Sequence, residues 1–429
     1  MAGGSTIISG PVARTLDHLR ALLVGDEARR RLAPKRGEPR PALRGAPTAS
    51  ADSVAQLWSR LREAGVATVA HERALADGAT LESAEAYAAN IENMIGTIKM
   101  PVGVIGPLRI NGLHANGEFF VPLATTEAAL VASYGRGADI ASRAGGVTAA
   151  MLSDGVLRSP GFKFADLVDA GHFLDWIVRS CGPLQAAAEA TTRHGKLVSI
   201  EPVMDNDIVF LLCRYTTGDA SGQNMVTLAT EALCRHIEAN CPVKPLLWFV
   251  EANFSGDKKS TYLSLLTGRG RKVSASVTIP RPLVEKGLHV TPERMLDYAQ
   301  MAGLGALLSG QFGAQGHYAN GLAALYIATG QDAACVSESA IGVTRMEARD
   351  GDLFMSVTLP NILVGSVGGG TALPSQSAAL ELLGLRGDGK AAALAEVAAA
   401  LCLCGEISII GAIAAGEFTQ AHRKFARQR

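Results

Sequence analysis

The chain lacks any excess of charge: forty basic residues meet forty acidic ones, for a formal net charge of zero. That argues against a surface built for nucleic acid or an anionic membrane and leaves only a local basic patch for phosphates. It also lacks paired cysteine motifs. The seven cysteines are odd in number and none forms a CxxC. Cys213, Cys234, Cys402 and Cys404 lie in apolar runs, where cysteine is a small core residue. A disulfide framework is therefore not expected, and a reducing cytoplasm is. Residues 1–23 have no basic flank followed by an apolar core, so no secretory signal is expected. No window reaches ~18 uninterrupted apolar residues. The nearest, 401–415, is broken by Glu406 and by glycines, so no membrane span is expected. Repeats of 20–50 residues are absent, as is a GxGxxG dinucleotide fingerprint where one would be needed.

What is present is a globular composition. The 429 residues are 48% hydrophobic and 19% charged, enough for two or three domains with a large core. Residues 33–50, rich in Arg, Pro and Gly, read as a mobile segment. A helical region is expected at 53–90, an ordered Gly/Pro-punctuated loop at 96–108 and a strand at 119–123. A helix at 126–143 would be capped by Thr125 and Thr126. Between 158 and 254 the pattern becomes helix (173–192), strand (208–215), helix (223–239), strand (246–254), which is a small α/β unit. A strand at 272–279, helices across 295–329, a strand at 353–359 and helices to 421 follow.

Four polar sites fall at turns between apolar elements, where side chains can face a cleft. They are Thr125-Thr126-Glu127, Asp257-Lys258-Lys259, Gly330-Gln331-Asp332 and His422. Each has a plain structural explanation: a carboxylate at a helix N-terminus, a solvated charged turn, a capping aspartate and an exposed tail histidine.

Taken with the glycine-rich segments they form a pattern. Glu92-Asn93-Met94-Ile95-Gly96 through Leu108, Ala124 to Glu127, Thr217-Gly218-Asp219-Ala220 with Gly222 and Asn224, and Asp257-Lys258-Lys259 occur in that order. Thr329 to Ala333, Gly365 to Thr371 and Ala414-Ala415-Gly416 with His422 complete it. This set resembles the 3-hydroxy-3-methylglutaryl-CoA reductase family, collinearly from residue 68 to 422. It is nearer the NADPH-linked form of eukaryotes and archaea (class I) than the NADH-linked degradative form.

The resemblance implies an α/β (α+β) fold in three parts. Residues 1–91 would form a partly helical N-terminal segment. Residues 92–159 and 251–429 would form a large mixed helix–sheet substrate domain, and 160–250 an inserted ferredoxin-like cofactor domain. It implies reduction of an acyl-CoA thioester to an alcohol through a hemithioacetal and an aldehyde, with two NADPH. Lys258 would face the developing oxyanion. Glu127, its pKa raised in a dry cleft, would supply the proton of the aldehyde step. Asp332 would tune both, and His422 would protonate the CoA thiolate. Asp219, Asn224 and Gly368-Gly369-Gly370 match the dinucleotide loops. Thr192 and Arg193 match the groups on the 2′-phosphate, where a guanidinium forms paired charge-assisted bonds. No metal site is implied. A homo-oligomer with its active site between subunits is.

Arg136, Arg158, Lys259, His317 and Asn320 fall on family positions around the acyl group and CoA. Two positions depart. Glu251 stands where many members carry serine, and Gln300 where they carry lysine. Both belong to the group that holds the substrate's terminal carboxylate, and both make it less welcoming to an anion. Alongside reduction of 3-hydroxy-3-methylglutaryl-CoA to mevalonate, a different acyl-CoA therefore stays open. A non-catalytic assembly subunit is disfavoured, because all four polar groups are intact.

Overall fold

A computed structural model describes residues 26–34 and 48–418. Most of the segment expected to be mobile, at 33–50, lies outside the described residues, as does His422. Asp26–Leu32 forms a short helix.

Where one helical region was expected, three short helices form: α1 (Ala51–Glu63), α2 (Val69–Leu75) and α3 (Gly78–Glu82). Each begins on a polar cap. Ser50 and Ser53 make a reciprocal capping box, Thr68 accepts from the His71 N–H and Asp77 from the Thr80 N–H. A small core of Val54, Trp58, Ala76 and Met94 holds them, and the Trp58 indole donates to the Ile95 carbonyl at 2.7 Å.

The expected loop at 96–108 is in large part a strand, β1 (Val102–Gly112), paired antiparallel with β2 (Asn116–Ala124). Glycine and proline suggested a turn, but a register shift between Ile105 and Leu108 absorbs Gly106 and Pro107 as a bulge. After α4 (Leu130–Arg143) comes β3 (Val147–Arg158), which the sequence reading passed over. It is the hinge of the architecture. Its first part pairs parallel with β1 and antiparallel with β8 (Gly270–Ile279). Its last residues, Val156 to Arg158, pair instead with β6 (Ile208–Thr216).

Two sheets thus share one strand. The larger continues β2-β1-β3-β8-β11-β10-β9, with β9 (Gly313–Ala314), β10 (Gly342–Arg349) and β11 (Asp352–Ile362). The smaller runs β7-β4-β6-β5, all antiparallel, with β4 (Gly161–Lys163), β5 (Lys196–Asp205) and β7 (Leu247–Phe249). Helices α5 (Leu167–Arg179) and α6 (Cys181–Glu189) fall between β4 and β5, and α7 (Gln223–Asn240) between β6 and β7. Spatial order 4-1-3-2 for a βαββαβ chain is ferredoxin-like.

The remaining helices are α8 (Tyr262–Thr267), α9 (Arg281–Leu288), α10 (Pro292–Ser309), α11 (Tyr318–Thr329), α12 (Val336–Ser339), α13 (Pro374–Leu382) and α14 (Ala391–Ala414). By length and composition α14 could cross a membrane, but most of it is buried inside the fold as the core helix. Glu396 and Glu406 are both fully buried on α14 and both are satisfied. Glu396 accepts from the N–H groups of His114 (2.9 Å), Ala115 (2.7 Å) and Met151 (3.1 Å). Glu406 accepts from Gly316 (2.8 Å), His317 (2.9 Å) and the Thr344 hydroxyl (2.7 Å). Buried carboxylates with three donors each are tolerated because the lone pairs lost from water are replaced. They pin the core helix to the β1–β2 turn and to the start of α11.

Candidate active site

Helix α11 sets the geometry. Twelve residues at 1.5 Å each make it about 18 Å long, and expected site residues lie at both of its ends.

At the N-terminal end, Asn320 donates to Glu127 Oε2 at 2.7 Å. His317 precedes the helix, stacked on the buried Tyr134 ring with centroids 5.1 Å apart and planes 16° from parallel. Its backbone N–H rests on Glu406, and the Tyr134 hydroxyl donates to the His317 carbonyl at 3.0 Å. One expectation about Glu127 is corrected here. Helix α4 begins at Leu130, not 126, because Ala129 takes a left-handed φ of 70° and the Thr125 hydroxyl accepts from the Glu127 N–H in a local turn. Glu127 therefore precedes the helix. It is exposed within one chain.

Beyond the C-terminal end lies the cationic half. Lys258 Nζ sits 2.9 Å from Asp332 Oδ2, while Asp332 Oδ1 accepts from the Ala334 N–H at 3.0 Å and caps the turn Ala333–Cys335. The aspartate is thus both cap and partner. Its hydrogen bond raises the Lys258 pKa above the ordinary lysine value, against a smaller opposing effect of burial. Lys258 is the third residue of a turn closed by the Lys259 N–H on the Gly256 carbonyl at 3.0 Å, with φ +56°. Glycine is favoured there, and a left-handed φ costs a lysine about 1–2 kcal/mol.

Beneath that turn runs a network of ions. Arg158 Nη1 donates to Asp257 Oδ2 at 3.0 Å and lies 3.3 Å from Glu251 Oε2. Arg269 Nη2 donates to Asp257 Oδ1 and Gln223 Oε1, both at 2.8 Å, and Nη1 pairs with Glu338. Burial opposes ionisation of Asp257, but the guanidinium groups of Arg269 and Arg158 outweigh it and hold the carboxyl below its usual value. Glu251 also accepts from the Ser255 hydroxyl (2.9 Å) and the Asn253 N–H (2.8 Å). It faces a cation rather than another carboxylate. Lys259 Nζ turns back onto the Asp257 carbonyl at 2.8 Å.

The positions matched to a dinucleotide are partly committed to the fold. Asp219 accepts from the N–H groups of Gly389 (2.7 Å) and Ala391 (3.1 Å), at the start of α14. Burial works against its charge, yet these donors keep its pKa below the usual value. The Thr192 hydroxyl accepts from the His194 and Gly195 N–H groups at 3.2 and 3.0 Å. Arg193 is exposed, with no ion pair among the described residues, and Asn224 is exposed in the first turn of α7. Gly368 and Gly369 are exposed, and a Cβ on either would meet nothing within 4 Å. Gly370 is different: a Cβ there would strike the Gly330 carbonyl, and one on Gly330 would strike that of Gly370. This backbone contact sets the glycine loop beside Asp332, two residues past Gly330. An exposed guanidinium, an amide at a helix N-terminus and open glycine backbone suit a phosphorylated dinucleotide.

Arg136 is held on α14, with Nη2 donating to the Ser408 carbonyl at 2.7 Å, and Gln300 is exposed on α10. One chain therefore gathers Lys258, Asp332, Arg158, Glu251 and Lys259, and separately Glu127, Asn320 and His317. The sequence reading missed Gln223, Arg269, Glu338, Tyr134 and Glu406. Only Glu406 carried a signal, as a lone acid in an apolar run; the others are ordinary until the fold buries them.

Against this geometry stands a family model described as Hydroxymethylglutaryl-coenzyme A reductase, which matches residues 58–427. The chain belongs to the hydroxymethylglutaryl-coenzyme A reductase family. It is 42% identical over 340 residues to the 3-hydroxy-3-methylglutaryl-coenzyme A reductase of Methanothermobacter thermautotrophicus, covering 79% of this chain and 85% of that protein. To the reductase of Haloferax volcanii it is 43% identical over 350 residues, covering 80% and 86%. The fold is similar to a class II 3-hydroxy-3-methylglutaryl-CoA reductase from Streptococcus pneumoniae bound to NADPH, with TM-score 0.62 and 20% identity, over 83% of this chain and 86% of that one.

Proposed function

We propose that this protein is an NADPH-dependent hydroxymethylglutaryl-CoA reductase, converting the thioester to mevalonate and free CoA with two NADPH. The observation that carries the reading is the Lys258–Asp332 pair, a cation held by an acid on a turn where glycine would be less strained. NADPH, when bound, supplies a hydride in each of the two reductive steps. Arg193, Asn224 and the backbone of Gly368 and Gly369 would hold it; Asp219 and Thr192 shape the loops around it. Lys258 faces the carbonyl oxygen as negative charge builds there, an ammonium whose pKa Asp332 raises above the ordinary lysine value. Asp332 orients that ammonium. Glu127, oriented by Asn320, delivers the proton to the aldehyde oxygen. His422, outside the described residues, matches the group that protonates the departing thiolate.

The site is completed between two copies of the chain. Glu127 contacts Asn320 in the first turn of α11 and Asp332 lies three residues beyond its other end, a separation that favours partners from two chains. An apolar face on α10, with Met301, Leu304, Leu307 and Leu308 exposed, supports burial against a second copy. Residues 160–250 serve as the cofactor domain, 92–159 with 251–429 as the substrate domain, and 1–91 as the N-terminal segment. The cytoplasm is the compartment: seven free thiols, six of them buried, are kept reduced there.

A second reading concerns the acyl group. Arg158 already faces two carboxylates of its own chain, Asp257 and Glu251, and Gln300 adds no cation. That favours an acyl-CoA without a distal carboxylate. Steady-state NADPH oxidation with the glutaryl substrate and with acyl-CoAs lacking that carboxylate tests both. Two NADPH consumed per mevalonate formed, abolished in Lys258→Met, supports the first. Equal or faster turnover of the uncharged acyl-CoA transfers the assignment to the second.

A further inference from the structure

Glu338 is a fully buried carboxylate that none of the steps above uses. It lies on α12, eighty residues from Lys258, and its Oε1 accepts the Lys258 backbone N–H at 3.1 Å. Its other oxygen pairs with Arg269, which is also fully buried. Arg269 in turn holds Asp257, the residue before Lys258, and its own backbone N–H donates to Asn361 Oδ1 at 2.7 Å. The Asn361 amide closes the circuit by donating to the Glu338 carbonyl at 3.1 Å. A second tie joins the same pieces, from the Ser260 hydroxyl to the Ser337 carbonyl.

Two features of this network are costly for a fold that needs only stability. A buried ion pair gives back in Coulomb attraction little more than both ions lose in hydration, and apolar residues of like volume do as well or better. The turn it grips places a lysine at a left-handed φ that glycine would take more easily. Both costs fall at the one turn that carries the Lys258 ammonium. Strained backbone persists where its surroundings over-determine it, and here the surroundings are Glu338 on the Lys258 N–H and Arg269 on Asp257.

We infer that Glu338, braced by Arg269, is a positioning residue for the reduction: it fixes the Asp257-Lys258 turn so that the Lys258 ammonium stands at Asp332 and at the developing oxyanion. Neither residue touches the substrate. The inference rests on Lys258 acting as the oxyanion cation.

The test uses the full chain, with folding checked by circular dichroism and oligomeric state by sedimentation. Glu338→Gln keeps an oxygen acceptor for the Lys258 N–H and is expected to retain kcat within about threefold. Glu338→Ala removes the acceptor, and kcat is expected to fall about 100-fold, the scale of an ångström's misplacement at the reacting centre. KM for NADPH and for the acyl-CoA should stay near the parent's. Because Glu338→Ala takes from the buried Arg269 one of its two carboxylate partners, the double variant Arg269→Met with Glu338→Met is the control, with a neutral, filled core. It should show the same selective loss of kcat. A folded double variant with kcat within twofold of the parent overturns the inference, as does Glu338→Gln falling as far as Glu338→Ala. Lys258→Met separates the two claims. If it still reduces the thioester, the functional reading fails; if it is inactive while the double variant is not, only the positioning role fails.

Discussion

The two ends of α11 are built differently. The Lys258 end is finished within one chain: three cations and four acids interlock, and two of the charged groups, Arg269 and Glu338, are wholly removed from solvent. The Glu127 end is exposed, and among the described residues the carboxylate has one side-chain partner, Asn320. A group that must stay an ammonium benefits from a preset anionic partner. A group that must hold and release a proton cannot be locked to a cation, which would keep it ionised. Its dry surroundings must come from elsewhere, and in the proposed assembly they come from a second copy.

The largest effect that could break this comparison comes from subunit complementation. Glu127→Gln and Lys258→Met are each expected to lower kcat by about 10²–10³-fold. Co-expressed, they should form mixed dimers with one intact interface site, restoring roughly a quarter of the parent's activity in a random mixture. A mixture no more active than its parts would return the whole site to one chain. Next in size, Asp332→Asn removes the partner that raises the Lys258 pKa. The ammonium then loses its proton at lower pH, so the alkaline limb of the kcat profile should move downward, with kcat about 10–100-fold lower. An unmoved limb would separate that limb from Lys258. Third, Gly370→Ala drives a methyl group into the Gly330 carbonyl. It should lower stability by about 1–3 kcal/mol in thermal melting and slow turnover more than it weakens acyl-CoA binding. The smallest effect sharpens the cofactor side: Arg193→Met should raise KM for NADPH about tenfold and leave that for NADH nearly unchanged.

Much of this was legible beforehand. Lys258, Asp332 and Glu127 each follow a strand or end a helix, where local pattern is readable, and the small α/β unit was visible in its alternating elements. Six strands were not: β1, β3, β4, β5, β9 and β10. β3 contains Ala149, Ala150 and Ser153, and β5 contains Glu201 and Pro202, so neither has the β-branched alternation that marks a strand by itself. Strand β3 exists because β1, β8 and β6 supply its hydrogen bonds. Glu251 shows the same gap for a site residue. Its identity suggested a pocket less welcoming to an anion, but its partner Arg158, ninety-three residues away, could not be read from the local pattern.

The order of chemical groups along the chain was sufficient to specify the family, the reaction class and the residues carrying charge. Burial and long-range pairing decided the rest: that Glu406 is buried and satisfied within a core helix, that Asp219 caps that helix, and that Lys258 and Glu127 stand toward opposite ends of α11. The reason is physical. A side chain's local pattern reports its own turn or strand, whereas its dielectric surroundings and its partners are set by residues hundreds of positions away, brought near only when the core closes.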